Sequence, residues 1–393
     1  MDAPAPLAGL AYDDLATLLA ARGMPASHAE RLAGAALRRG TLDLASIAGL
    51  GPRGVAALSP ALTLRATSVV HRTPSLDGTT KLLVGLPDGE RVEAVLMPLA
   101  RSWSGCVSSQ VGCGAACAFC ASGLEGLRRS LEPFEIVEQV LHLADEARAR
   151  GQKLTNLVFM GMGEPMHAYD RVVGAIRRLT DPRLLGFGPS RITVSTVGVV
   201  PGILRLAQER IGCHLAVSVH AADDALRRRL LPVGGQWSVE EVLDAAEVFR
   251  VTTGRFVNLQ VTLLAGINDG VEHAAQLATA IRGRSFHVNL IPVNAVPGTP
   301  FVPPTQEVLD AFRGVLVERG VIAHVRTRRG SDVAAACGQL RRRAAGAGPA
   351  EDASTGGGPA VTPGAGAGAG SGAGSGAGPG SARTFRGPRA PLQ

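Results

Sequence analysis

GCVSSQVGCGAACAFCASG, Gly105 to Gly123, places Cys106, Cys113, Cys117 and Cys120 within one short stretch, and only Cys213 and Cys337 lie elsewhere in the 393 residues. Six cysteines in a chain of this length are too sparse for a disulfide framework. Clustering of four is the pattern of a metal site. Three of them form C-x3-C-x2-C in a Gly/Ala-rich loop, where three thiolates can converge on one small object. Three ligands at this spacing suit three irons of a [4Fe–4S] cube whose fourth iron stays open. Structural zinc is an alternative, but it takes four ligands. Cys106 completes such a set, although a second closely spaced pair is missing. Reduced structural thiols are a third reading.

The cysteine loop directly follows the first of a series of β-rich runs. From Trp103 to about Arg328 these include NLVFMGM, RITVSTVGVV, CHLAVSVH, FVNLQVTLL, FHVNLIPV and IAHVRT, with helical patterns such as Pro133–Arg150 and Ser238–Arg250 between them. Repeated βα units imply a parallel sheet covered by helices. The fold class predicted is α/β, a full or partial TIM-like (β/α)6 barrel with its site at the C-terminal strand ends. A doubly wound open sheet is the rival.

Outside this core, Tyr12 to Ala61 reads as short amphipathic helices, with Ser27 as N-cap of a helix running through Arg38. IAGLGPRGVAAL (47–58) has either the Gly-x-Gly look of a helix–hairpin–helix phosphate site or the pattern of an ordinary helix–turn–helix packing unit. LTLRATSVV and TKLLVGLPDGERVEAVLMPL (62–99) alternate around Asp88-Gly89, predicting a small antiparallel hairpin. From Ala347 onward a Gly/Ala/Ser/Pro tract lacks the apolar surface to offset its ordering entropy, so a disordered tail is expected, with Arg383, Arg386 and Arg389 near its end. The organisation expected is 1–61 helical, 62–100 β-hairpin, 101–345 core and 346–393 tail.

A net charge of +7 and a pI near 9.6 favour an acidic partner, nucleic acid first. With no signal peptide or membrane span in the sequence, a reducing cytoplasm is the expected compartment.

C-x3-C-x-Phe-C (Cys113, Cys117, Phe119, Cys120) resembles the signature of radical S-adenosylmethionine enzymes. CVSSQVGC, FMGMGEP, STVGVVP, HVNLIP and AAACGQL stand in the order seen in the RlmN/Cfr family, radical enzymes that methylate adenine in RNA. The resemblance runs from about Leu62 to Arg343 and is closer to the C2-methylating branch. It implies one [4Fe–4S] cluster per chain on Cys113, Cys117 and Cys120, and two S-adenosylmethionine molecules per turnover. It matches Gly163, Glu164, Ser195, Ser218, Val219, His220 and Asn294 to cofactor-binding positions. Without it, these are a Gly-rich packing turn and hydrogen-bonded strand ends.

The resemblance also makes Cys337 a methyl carrier. C2 of adenine is not a nucleophile, so the family methylates a thiolate first and then joins that carbon to the base. Cys106 is matched to the thiol that releases RNA by attacking Cys337, forming a transient disulfide. Glu93 is matched to the acceptor of the adenine C2 proton. By themselves, Cys337 reads as a half-buried apolar residue and Glu93 as a surface charge on a hairpin. Cys213 reads as core. Basic clusters at Arg227–Arg229, Arg326–Gly330 and Arg341–Arg343 read as phosphate-neutralising groups or as solvated helix ends.

Partners implied are 23S ribosomal RNA and/or transfer RNA and an electron donor such as flavodoxin or ferredoxin, with no membrane and a monomeric chain. FCASGLEGLRRSL, LLPVGGQW and NAVPGTPF depart from the usual wording of the C2 branch at loops expected to face RNA. Three functions therefore stay open: a C2 methyltransferase, a Cfr-like C8 methyltransferase, and a non-catalytic zinc-bearing nucleic-acid-binding module.

Overall fold

A computed structural model describes residues 3–100, 102–124, 126–327 and 329–340. Near the N-terminus β1 (Ala5–Pro6) pairs in parallel with β2 (Leu62–Thr63). Between them lie α1 (Tyr12–Ala20), α2 (Ser27–Leu32) and α3 (Gly51–Leu58), whose Leu15, Leu19, Leu32 and Leu58 are buried. α2 runs on into a π-helical stretch, Ala33–Arg38. The expected cap is corrected: Ala26 holds the N-cap position, Ser27 lies inside the helix, and no side chain caps it. The turn starts earlier because Pro25, with φ preset for a first turn, already accepts from the His28 N–H. α3 follows a 3-10 turn, Leu44–Ser46.

The expected hairpin is larger than its Asp88-Gly89 turn indicated. β3 (Ser68–Pro74), β4 (Thr80–Gly85) and β5 (Arg91–Leu99) form an antiparallel meander with left-handed glycines at both turns, Gly78 at φ 86° and Gly89 at φ 85°. β5 then pairs antiparallel with β6 (Ser102–Cys106), so the meander extends the main sheet.

After β6 come the short β7 (Gln110–Gly112), α4 (Ala121–Leu124) and β8 (Leu127–Ser130), with β7 and β8 paired antiparallel. The chain then alternates regularly: α5 (Pro133–Ala149), β9 (Leu154–Phe159), α6 (Tyr169–Thr180), β10 (Ile192–Thr196), α7 (Val200–Glu209) and β11 (His214–Ser218). It continues through α8 (Asp224–Leu230), α9 (Val239–Thr253), β12 (Val257–Leu263), α10 (Val271–Ala280), β13 (His287–Pro292), α11 (Gln306–Glu318) and β14 (Ile322–Val325). Local signals set these helices. Glu135 reaches back to the Glu132 N–H ahead of Pro133, and Ser238 with Glu241 caps α9 reciprocally.

The ten-stranded sheet runs β14-β13-β12-β11-β10-β9-β6-β5-β4-β3, with β6 and β9 to β14 parallel. Strand order follows chain order without the reversal a doubly wound sheet requires. Among the described residues β14 does not pair back to β6, so the barrel is partial.

One buried carboxylate fastens the N-terminal approach to this core. Glu138 on α5 is fully buried and accepts from the Ala66 N–H (3.0 Å), the Thr67 N–H (2.7 Å) and the Thr67 hydroxyl (2.7 Å). Burial pushes its carboxyl up while these donors pull it down. Glu138→Ala orphans two main-chain donors and is expected to destabilise the fold by about 2 kcal/mol or more. Glu138→Gln, keeping one acceptor oxygen, is expected to recover part of that loss. Urea unfolding followed by circular dichroism checks both; an alanine variant as stable as wild type contradicts the account.

Candidate active site

Three elements shape the cysteine loop. The Ala118 N–H donates to Leu230 O of α8 (3.0 Å), and the Ala121 N–H donates to Gly338 O beside Cys337 (2.7 Å). The third is steric: a Cβ at Gly123 would lie 3.2 Å from both Ala116 Cα and Cys117 N, so glycine lets the loop fold back on itself. Cys113 is buried, and Cys117 and Cys120 are half-buried. All three line one cleft of about 930 Å³ at the C-terminal ends of the parallel strands.

Burial is the main cause of raised thiol pKa values here, taking Cys113 up to about 12 and lifting Cys117 and Cys120, with mutual repulsion among the sulfurs added. Three soft donors that repel one another as thiolates need a cationic centre between them. Among the described residues no three His, Cys, Asp or Glu side chains close on a single ion.

The rest of the cleft is built from strand ends. Gly163 sits at φ 102°, and a Cβ there would lie 2.6 Å from Gln110 Cβ. Glu164 is buried and spans two βα loops, accepting from the Met166 N–H (3.0 Å) and the Val197 N–H (2.8 Å). Burial outweighs those donors and pushes its carboxyl up to about 7. Ser195 Oγ donates to Phe159 O (2.6 Å), and Ser218 ends β11. His220 Nδ1 accepts from the Thr262 N–H (2.8 Å), and burial depresses the imidazole to about 3, so it is neutral with its other nitrogen protonated.

Gly163, Glu164, Ser195, Ser218, His220 and Asn294 all line the cleft with the three cysteines. Val219 does not: its side chain is fully buried. Two acceptors on the wall, Asn294 Oδ1 and Gln260 Oε1, are buried without a hydrogen-bond partner. Such orphans fit a ligand that brings its own donors, as the ammonium and ribose of S-adenosylmethionine do. Gln260 was missed by sequence reading, although a glutamine within the apolar run FVNLQVTLL is a detectable signal.

Cys337 is exposed and lines both this cleft and a second cavity of about 1310 Å³. Cys106, Arg191, Arg326 and Arg329 line only the second or join both walls from its side. Cys106 is buried, and burial together with the nearby Cys337 sulfur pushes it up to about 12. Cys337 raises Cys120 as well, so its sulfur is near both Cys106 and the cysteine loop.

Glu93 is not a surface charge. It is buried on β5, ion-paired with Lys81 Nζ at 3.0 Å, and Lys81 also donates to Ala334 O (3.2 Å) in the Cys337 segment. The first basic cluster divides: Arg228 and Arg229 are exposed, but Arg227 is fully buried and faces no phosphate. Cys213 is buried core. Arg341–Arg343 and the Gly/Ala-rich tail lie outside the described residues.

Residues 107–278 match the Radical SAM superfamily. A probable dual-specificity RNA methyltransferase RlmN from Opitutus terrae is 44% identical over 347 residues, covering 86% of this chain and 97% of its own length. The chain belongs to the RlmN family. A dual-specificity RNA methyltransferase RlmN from Myxococcus xanthus is 42% identical, with 86% of this chain and 95% of the relative covered. The crystal structure of a radical SAM methyltransferase from Sphaerobacter thermophilus superposes with a TM-score of 0.84 at 40% identity, over 86% of this chain and all of the other. RlmN proteins are radical SAM enzymes, so a [4Fe–4S] cluster and S-adenosylmethionine are the cofactors. The sulfur donors and orphaned acceptors described above fit that pair.

With Cys113, Cys117 and Cys120 as the ligands, alanine at any one is expected to abolish iron loading, whereas Cys213→Ala keeps it. Iron and sulfide per chain after anaerobic reconstitution decide this. A Cys117→Ala protein that retains full iron rules out the ligand set.

Proposed function

We propose that this protein is a radical S-adenosylmethionine-dependent methyltransferase that methylates C2 of an adenosine in ribosomal and/or transfer RNA, with Cys337 as methyl carrier. The observation that supports it most is the position of Cys337 on the wall shared by the two cavities. One cavity is built for the cofactors. The other combines apolar Met97 and Leu99 with Arg191, Arg326 and Arg329, a lining suited to a base and its phosphates. When bound, the cofactors supply a methyl group and a one-electron route to hydrogen abstraction.

The chain's own groups do the rest. Cys113, Cys117 and Cys120 hold the cluster. Gly163, Glu164, Ser195, Ser218, His220 and Asn294 shape the cofactor site, and Val219 contributes through its main chain. The exposed Cys337 sulfur takes the methyl carbon, which is then joined to adenine. Glu93, paired with Lys81, accepts the C2 proton. Cys106 finally attacks the Cys337 sulfur: the S–S bond forms, the C–S bond breaks, and its electron pair leaves with the RNA carbon, which is protonated. Burial keeps Cys106 protonated and quiet toward solvent until that step. The reading carries with it a flavodoxin or ferredoxin electron donor and a monomer working in the cytoplasm. Among the described residues no helix is long and apolar enough to cross a membrane.

RNA from cells lacking the gene is expected to lose 2-methyladenosine at one or a few sites, measured by mass spectrometry of nucleosides. Loss of 8-methyladenosine instead transfers the reading to C8 chemistry. In the purified protein, Cys106→Ala is expected to accumulate RNA covalently bound at Cys337 and resistant to denaturants. The double variant Cys106→Ala, Cys337→Ala is expected to show no adduct. Normal turnover by the single variant removes Cys106 from the release step.

A further inference from the structure

Arg227 is the largest fully buried side chain of the described residues. A guanidinium placed in the interior is costly unless something there requires a charge. Its partners are neutral: Nη1 donates to Gly234 O (2.6 Å) and Trp237 O (3.1 Å), Nη2 donates to Val197 O (2.7 Å), and Nε has no partner. The recess is shaped for it. A Cβ at Gly198 would lie 2.7 Å from Arg227 Nη2, and one at Gly234 would lie 2.6 Å from Val197 O. The carboxylate of Asp224, on the same helix, is taken up by the Val239 N–H at 2.7 Å.

The other group bearing on this guanidinium is Cys117, through its sulfur once ionised. The connection is also structural, since α8 carries Arg227 and its Leu230 carbonyl holds the Ala118 N–H, one residue beyond Cys117. Burial pulls Arg227 down only to about 10, so it stays cationic at neutral pH.

We propose that Arg227 is a positioning residue for the electron: a fixed buried cation behind Cys117 that raises the reduction potential of the cluster held by the three cysteines. The inference rests on that ligand assignment. Three thiolates make the cluster site anionic, and one-electron reduction adds a further negative charge. In a low-dielectric surrounding, a nearby positive charge stabilises the reduced form more than the oxidised form. The electron comes from an external one-electron donor, a reduced flavoprotein or ferredoxin, which is oxidised in the same step. Arg227 thus brings the cluster within reach of a donor of modest strength.

The test is a redox titration of the full-length, anaerobically reconstituted protein, monitored by electron paramagnetic resonance with and without S-adenosylmethionine. Arg227→Met is expected to load iron as wild type does and to show a lowered midpoint potential. Its 5′-deoxyadenosine release should fall with a flavodoxin-type donor and recover with dithionite. Arg227→Lys keeps the charge but not the fork, so it is expected to hold the wild-type midpoint while melting at a lower temperature. If Arg227→Met does not fold, Arg227→Lys decides: a native circular dichroism spectrum with a lowered midpoint overturns the inference. So does fully loaded Arg227→Met with an unmoved midpoint. A wild-type chain with no [4Fe–4S] signal overturns the ligand assignment as well.

Discussion

Three sulfurs share one cleft although each repels the others once ionised, and the loop that carries them has little structure of its own. The protein meets this constraint by fastening the loop at both flanks. On one side Leu230 of α8 receives the Ala118 N–H, and on the other Gly338 receives the Ala121 N–H. The first anchor brings with it a buried cation. The second brings the segment that carries Cys337. The cysteine-lined cleft, a buried arginine and the proposed methyl carrier are thus assembled around one short loop, whose position they share.

The parallel sheet supplies the frame. Because β6 and β9 to β14 lie in chain order, every βα loop opens on the same edge. Residues far apart in sequence, Glu164, Ser195, His220 and Asn294, come to one wall without any long connection. The meander β3 to β5 adds a different function to the same sheet. It carries Lys81 and Glu93, both buried, and through Lys81 it touches Ala334 ahead of Cys337.

Much of this was legible in the sequence because it depends on local spacing. The alternation of apolar runs and helical patterns located β9 to β14, and the cysteine spacing located the loop. Spacing does not report burial. Glu93 and Arg227 look like surface charges in ERVEAV and LRRRL, yet tertiary packing buries both, one against Lys81 and one in a cage of carbonyls. The Ser27 cap failed for a related reason, since Pro25 starts the turn before the better capping residue is reached. Gln260 lay in plain view, but a strand pattern weighs hydrophobic periodicity and passes over the single polar residue that interrupts it.

Asn294 joins the two halves of the site through one rigid amide. Its Nδ2 holds Cys337 O at 3.0 Å, while its Oδ1 is buried in the cleft wall with no partner. A planar amide cannot turn to meet a new donor at one end without loosening the bond at the other. Whatever occupies the cleft therefore bears on the loop that presents Cys337, and thermodynamic reciprocity requires the converse. A shift of that segment changes how the cleft holds its ligand. The side chain thus ties the wall of the cleft to the segment that presents Cys337, through a single hydrogen bond.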